Sequence, residues 1–373
     1  MYDLQERRAR PRPPNVTIVG AGAIGGLLGA KLSQSAARIS FLVRNRAYVN
    51  AIERNGLRIM PADGSKPIVA RRLLVVDDAA ALGPQDYVII AVKAHHMGGV
   101  ARTIGPLLGT STTIVTMQNG IPWWYFHKFP GPLGGRRVEA VDPNGEIANA
   151  LDPDRVLGCI AYPSAESLEP GVIRHVEGDR FPIGELDGSQ SERATQFVEL
   201  LTAAGFKSFL LDDVRSELWL KLWGNLSFNP ISALTHGTLA GICRFPLTRD
   251  LVAKMMGEAQ QVAEQLGVRF RHTIERRIAG AESVGDHTTS MLQDVQAGRE
   301  LEIEALLGAV VELGRLTQTP TPHIDAVYAC CKLLDKTMAD REVAFRGVPR
   351  PPVANGRAAQ RARPAVAAAA VPL

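Results

Sequence analysis

Along residues 15–117, short apolar runs alternate with stretches of helical spacing. Asn15 to Val19, Arg38 to Val43, Tyr87 to Val92 and Thr113 to Met117 are short segments rich in Val, Ile, Phe and Leu. Such runs suit strands of a parallel sheet buried on both faces. Gly22 to Ser35 and Arg46 to Asn55 carry the helical pattern between them, so the region reads as βαβ units. From Val156 to Glu185 the pattern changes to short strands set apart by turn signals such as Glu169-Pro170-Gly171, an antiparallel extension of the same sheet. A helix, Ser191 to Ala204, and a last strand, Lys207 to Leu211, follow. Beyond Asp212 the spacing is helical throughout, over Val214 to Leu226, Leu251 to Leu266, Thr288 to Gln296 and Glu302 to Leu313. Asp212 or Asp213 is placed to cap the first of these helices. The pattern therefore predicts an α/β domain over residues 15–211 and an all-helical one over 212–340.

The length of 373 residues accommodates two domains and a large core without disulfides. Residues 1–14 and 346–373 lack apolar periodicity and read as disordered arms. They carry +2 and +5 of a total of +4, which leaves the body at −3. A nucleic-acid reader is basic in its folded part, so that class is excluded. The four cysteines, Cys159, Cys243, Cys330 and Cys331, form no C-x-x-C pair and suit a reduced compartment. His95 and His96 lack the sequence partners of a Cys/His metal site, and no metal is expected. The basic stretch from Arg7 to Arg12 before the apolar run Val16 to Ala30 imitates a signal peptide, but the glycine spacing of that run has another explanation. No run of about 18 apolar residues occurs, so a membrane span is not expected and the chain reads as cytoplasmic.

That explanation is G-x-G-x-x-G at Gly20, Gly22 and Gly25, directly after a strand and opening a helix. Gly20 allows the tight turn, Gly22 lets a pyrophosphate approach the backbone, and Gly25 lets the helix pack close to the sheet. The helix N-terminus, with Ala23 and Ile24 in its first turn, supplies the positive end. The fold class is thus an α/β Rossmann-type dinucleotide-binding domain followed by an all-α C-terminal domain. An NAD enzyme carries Asp or Glu about 20 residues further on. Val43-Arg44-Asn45-Arg46 stands there without an acid, and a guanidinium pairs well with a 2′-phosphate. NADP, held by Arg44, is the expected cofactor; ordinary surface arginines are the alternative.

In the helical half, Lys221, Asn225 and Asn229 are spaced i, i+4, i+8, each step turning only about 40° around the axis. One face therefore projects a cation and two amides together, while Leu218, Leu222 and Leu226 make an apolar face for the core. A substrate would satisfy those polar groups; a solvated face is the alternative.

Five blocks in order, Gly20-x-Gly22-x-x-Gly25, Val92-Lys93, Gln118-Asn119-Gly120, Lys221-x-x-x-Asn225-x-x-x-Asn229-Pro230, and Ser290-Met291-Leu292-Gln293-Asp294 followed by Glu302, resemble the ketopantoate reductase family over roughly residues 15–336. The resemblance implies NADPH-dependent reduction of a 2-keto acid, ketopantoate to pantoate in pantothenate biosynthesis, and often a homodimer. It makes Lys221 the general acid and Glu302 the group that binds and polarises the substrate. Asn225, Asn229 and Ser290 then contact substrate, while Lys93 and Asn119 lie near the nicotinamide and substrate. Residue chemistry agrees, because reducing a 2-keto acid needs a proton donor, and a positive charge beside the developing alkoxide stabilises it. Alternatives are another hydroxyacid or opine-type dehydrogenase of the same plan, or a non-catalytic NADP sensor. Ile121-Pro122-Trp123-Trp124-Tyr125-Phe126 departs from the family pattern, and reads either as a core plug or as a wall of the substrate site.

Overall fold

The computed structural model describes residues 12–348. Its first part runs β1 (Asn15–Val19), α1 (Ala23–Leu32), β2 (Arg38–Leu42), α2 (Arg46–Asn55), β3 (Leu57–Pro61), β4 (Ile68–Ala70), β5 (Leu74–Val76), β6 (Gln85–Ile90), α3 (Met97–Ala101) and β7 (Leu108–Thr116). It continues through α4 (Glu146–Ala150), β8 (Val156–Cys159), β9 (Ser164–Glu169), β10 (Val172–Glu177), β11 (Ile183–Glu185) and α5 (Glu192–Ala203). Helices then follow without strands: α6 (Val214–Thr235), α7 (Leu239–Arg244), α8 (Pro246–Gln265), α9 (Ile274–Ser283) and α10 (Ser290–Ala297). A five-residue π-helix, Glu304–Gly308, leads into α11 (Ala309–Leu316), and α12 (Pro322–Arg341) ends the series.

Seven strands form the main sheet in the order β5-β2-β1-β6-β7-β8-β11, all parallel except β11. Its central strands carry the all-apolar runs, and Ile18, Val88, Ile89, Ile90, Ile114 and Val115 have no exposed surface. The winding reverses between β1 and β6, so the crevice beyond the carboxyl ends of those two strands is where such a sheet takes a ligand. Helix α2 forms where its spacing predicts. Asn45 caps it by accepting from the Ala47 N–H at 2.9 Å, Val49 and Ile52 are buried, and Gly56 at φ +74° stops it.

Two strand expectations need correction. Of the segment 156–185, only β11 extends the main sheet in antiparallel fashion; β8 joins it in parallel. β9 and β10 leave it for a second sheet, β4-β3-β10-β9, that packs on α1. Gly26 permits that packing, since a Cβ there would lie 2.8 Å from the Ile173 side chain. Lys207 to Leu211 makes only isolated bridges, to Arg180 and Ile183, because its side of β11 is reached at single points. Residues that the pattern assigns to the arms make contacts at both described ends. Arg12 forms a two-point pair with Asp86, and the Arg346 guanidinium donates to the Gln296 carbonyl at 2.6 Å. The remainder of both arms, and with it the expectation of disorder, lies outside the described residues.

Asp213 caps α6 by accepting from the Arg215 and Ser216 N–H groups, each at 3.0 Å. The helix is the axis of the second half, with Leu218, Trp219, Leu222, Trp223 and Leu226 buried. The aromatic run settles as a core plug between sheet and helix. Trp123, Trp124, Tyr125 and Phe126 are all buried, Trp124 donates to Thr116 Oγ1, and Trp219 of α6 donates to the Tyr125 hydroxyl at 2.8 Å.

Candidate functional site

The glycine turn sits at the carboxyl end of β1 and fits a dinucleotide on its own geometry. Gly20 takes φ +101°, and a Cβ there would lie 2.9 Å from the Val92 side chain. A Cβ on Gly25 would lie 2.1 Å from the Gly20 carbonyl oxygen, so only glycine lets α1 approach the turn. Gly22, by contrast, has nothing within 4 Å and caps α1 with no side chain of its own. The turn is closed where packing requires it and open where a pyrophosphate would approach. The first N–H groups of α1, those of Ala23 and Ile24 among them, have no intrahelical acceptor.

At the end of β2 the two arginines differ. Arg46 is bound to Asp77 at 2.8 Å. Arg44 is exposed and has no acidic partner among the described residues; its guanidinium lies close to Gly99, and its charge joins burial in lowering the pKa of His96.

Lys221 lies partly accessible at a narrow opening, densely surrounded by protein atoms. Its Nζ donates to Asn119 Oδ1 at 2.7 Å and to the Ala161 carbonyl. Asn119 Nδ2 donates to Glu302 Oε2 at 3.5 Å, and Glu302 Oε1 accepts from the Ala94 N–H at 3.0 Å. Burial pushes the Lys221 ammonium down to about 8, against the attraction of Glu302. Burial pushes Glu302 up, while the Ala94 N–H and Lys93 hold it down. A small cavity beside Lys221 is lined by Gln118, Asn119, Gly120, Ile160, Leu218 and Leu222. A roomier cleft touches Asn15, Arg38, Leu74 and Gln85, at the amino ends of the strands, away from these groups.

Lys93, Asn119, Lys221 and Glu302 thus meet, from three distant parts of the chain. Lys93 also pairs with the buried Asp294 of α10 at 2.5 Å. Asn225 and Asn229 follow Lys221 along α6, the first partly exposed and the second buried, and neither side chain hydrogen-bonds another described residue, in contrast to Lys221. Ser290 stands exposed at the start of α10 and makes no hydrogen bond to the Lys221 group. Glu302 lies just before the helix rather than in its first turn, where the spacing from Glu302 to Leu313 puts it, and that helix opens with a π-turn. The His95–His96 pair is not fully solvated as a loop pair would be: His95 is mostly buried, and Glu300 lies beside the two with one ligand atom of each within 4.8 Å. His95 is held neutral, its pKa lowered to about 4 by burial and by His96 and Lys93. Such a trio, with two of its members exposed, does not by itself make a metal site.

Sequence reasoning missed the Ala161 carbonyl, the Ala94 N–H and the Asp294 pairing. The first two are backbone groups that carry no side-chain signal; Asp294 stands inside the block ending in Glu302 and was legible as an acid with no assigned partner. It also missed how the loop after β7 is fixed. Gln118 Nε2 donates to the Ile90 carbonyl at 2.8 Å, and the Ile121 N–H donates to the Ala305 carbonyl, within the π-turn, at 2.9 Å. π-Turns recur at functional sites because they free backbone groups. Gly120 takes φ +86°, and a Cβ there would lie 2.2 Å from the Ala305 oxygen. Gly120→Ala is therefore expected to cost at least about 2 kcal/mol and to reduce turnover with it, since the loop carries Asn119. Denaturant melts beside steady-state rates check this; a variant equal to wild type in both would count against it.

The family described as "Ketopantoate reductase PanE/ApbA" matches residues 16–188, and its C-terminal part, "Ketopantoate reductase PanE/ApbA C terminal", matches residues 213–335. A 2-dehydropantoate 2-reductase from Mesorhizobium japonicum is 52% identical over 319 residues, which cover 86% of this chain and 97% of that protein. The crystal structure of a candidate ketopantoate reductase from Ralstonia solanacearum MolK2 superposes with a TM-score of 0.82 at 38% identity, covering 89% of this chain and 99% of the other. D-mandelate dehydrogenase, in its ternary structure with NADH and anilino(oxo)acetate, has a TM-score of 0.74 at 19% identity over 87% of this chain and 99% of that one, a likeness of fold alone.

Proposed function

The chain belongs to the ketopantoate reductase family, an oxidoreductase family, and on that footing we propose that it reduces 2-dehydropantoate to pantoate with NADPH. The observation that carries this reading is the hydrogen-bonded series Lys221–Asn119–Glu302 beside the open glycine turn. When bound, the nicotinamide supplies the hydride that reduces the 2-oxo carbon. Gly20, Gly22 and Gly25, with the N–H groups of Ala23 and Ile24, hold the pyrophosphate, and Arg44 takes the 2′-phosphate. Lys93 and Asn119 border the nicotinamide and the substrate.

Lys221 is the general acid. Its ammonium sits where charge develops on the 2-oxo oxygen, stabilises it, and passes it a proton. Glu302 orients the substrate and, through Asn119, the lysine. Asn225, Asn229 and Ser290 supply neutral contacts that fix the substrate without competing for the proton. Of the described residues, no helix is long and apolar enough to cross a membrane. A dimeric ketopantoate reductase from Staphylococcus aureus supports a homodimer as the working assembly.

The lowered pKa of Lys221 has a kinetic signature. The acid works only when protonated, so kcat/KM for reduction is expected to be flat below about pH 7 and to fall about tenfold per unit well above about pH 8. A profile level to about pH 10 would remove Lys221 as the titrating acid. The function itself is tested by adding NADPH and a panel of 2-keto acids to the purified protein and following nicotinamide absorbance. Ketopantoate is expected to be turned over with the highest kcat/KM; a preference for an aromatic 2-keto acid would move the substrate assignment within the same reaction class.

A further inference from the structure

Arg277 lies on α9, and its guanidinium rests on Gly224 of α6. A Cβ placed on Gly224 would lie 2.1 Å from one terminal nitrogen and 2.9 Å from the guanidinium carbon. Gly224 is three residues beyond Lys221 and immediately precedes Asn225, so the guanidinium covers the helix surface about one turn from the lysine's attachment point. Only a glycine leaves that seat free.

Among the described residues, the other arginines withdrawn from full exposure are Arg155, Arg180, Arg193, Arg215 and Arg249, and each donates to a carbonyl or a carboxylate. The Arg277 guanidinium, alone of this group, makes no hydrogen bond and no ion pair with a described residue. Burial pushes its pKa down, opposed by Tyr162 and Cys243. A guanidinium nevertheless stays charged in a protein, so the fold retains a half-buried cation with no counter-charge among the described residues. Such a group is completed by a ligand where it lines a site. Tyr162, whose charge opposes the lowering of the Arg277 pKa, directly follows Ala161, whose carbonyl holds the Lys221 ammonium. Arg180, also near Tyr162, is already engaged by Glu217 and lies over the Tyr162 ring.

We propose that Arg277 binds the carboxylate of the 2-oxo acid substrate and selects 2-oxo acids over 2-oxo amides and ketones of the same shape. The proposal rests on the reductase reading above. A guanidinium meets a carboxylate through two parallel N–H···O bonds, which fixes the plane of the acid as well as its position. The adjacent 2-oxo group is then directed along α6 toward Lys221.

The test is steady-state kinetics with NADPH and ketopantoate for wild type, Arg277→Ala, Arg277→Lys and Gly224→Ala, with thermal melts of each. Arg277→Ala is expected to raise KM for ketopantoate about 10- to 100-fold, with a smaller change in kcat and none in KM for NADPH. Guanidinium chloride at millimolar concentration is expected to recover part of the loss, which a merely structural role would not allow. Arg277→Lys should fall between, and Gly224→Ala, which displaces the guanidinium without removing it, should raise KM in the same direction. If Arg277→Ala does not fold, the last two variants carry the measurement. An unchanged KM in the folded variants, or a loss that guanidinium leaves untouched, overturns the proposal. A wild-type protein that reduces no 2-keto acid overturns the reductase reading instead, so the two failures are told apart.

Discussion

Lys221→Ala is expected to lower kcat for reduction by about 10²–10⁴-fold, the usual loss for a positioned proton donor. KM for NADPH should change little, because the lysine reaches Asn119 and Ala161 and makes no contact with the glycine turn. Stability should also hold. Burial disfavours the ammonium, so removing it relieves a desolvation cost while forfeiting two hydrogen bonds. Lys221→Arg is the sharper variant. It keeps the charge but not a proton that leaves near neutral pH, so it too should stay far below wild type. Rates under saturating cofactor, with NADPH fluorescence to confirm binding, measure both; near wild-type turnover in either would remove the proton-transfer role.

Arg44→Ala is expected to raise KM for NADPH by about 10- to 150-fold and barely to affect NADH, the span of one lost charge-assisted hydrogen bond of about 1.5–3 kcal/mol. NADPH differs from NADH at that point by a phosphate of nearly two negative charges, and Arg44 reaches the end of β2 with no acidic partner among the described residues. Arg46 provides the control within the same turn. It is bound to Asp77, and Arg46→Ala should shift the preference far less. Arg44→Asp should repel the phosphate, accept the ribose hydroxyls, and narrow or reverse the choice. Titration of both cofactors against the three variants decides the matter, and equal use of NADH and NADPH by the wild type would overturn it.

The glycine turn was legible because Gly20 and Gly25 answer local steric demands, and local demands are written in neighbouring residues. The ends of β1 and α2 follow for the same reason. What stayed hidden depends on contacts far apart in the chain. β9 and β10 have the same short, mixed pattern whichever sheet they join, and their choice is made by packing on α1. The last helix, α12, was not picked out at all. Its apolar stripe is thin, with Ile324, Val327, Cys331 and Met338 buried across 20 residues. In the site, the Lys221 face was legible from i, i+4 spacing, whereas its meeting with Glu302 came from family resemblance and no spacing rule. Arg277 had no sequence signal, because a helical arginine is ordinarily solvated and nothing near it marks Gly224 as its seat.

The aromatic plug has a consequence for synthesis. Tyr125 waits for Trp219, which leaves the ribosome 94 residues later. At about 5–20 residues per second that interval is roughly 5–20 s. Throughout it, the emerging sheet carries Trp123, Trp124, Tyr125 and Phe126 without the helix that covers them, an apolar surface of the kind chaperones bind. Translation speed across residues 130–220 therefore bears on yield, and slower decoding there lengthens the exposure of a half-built core.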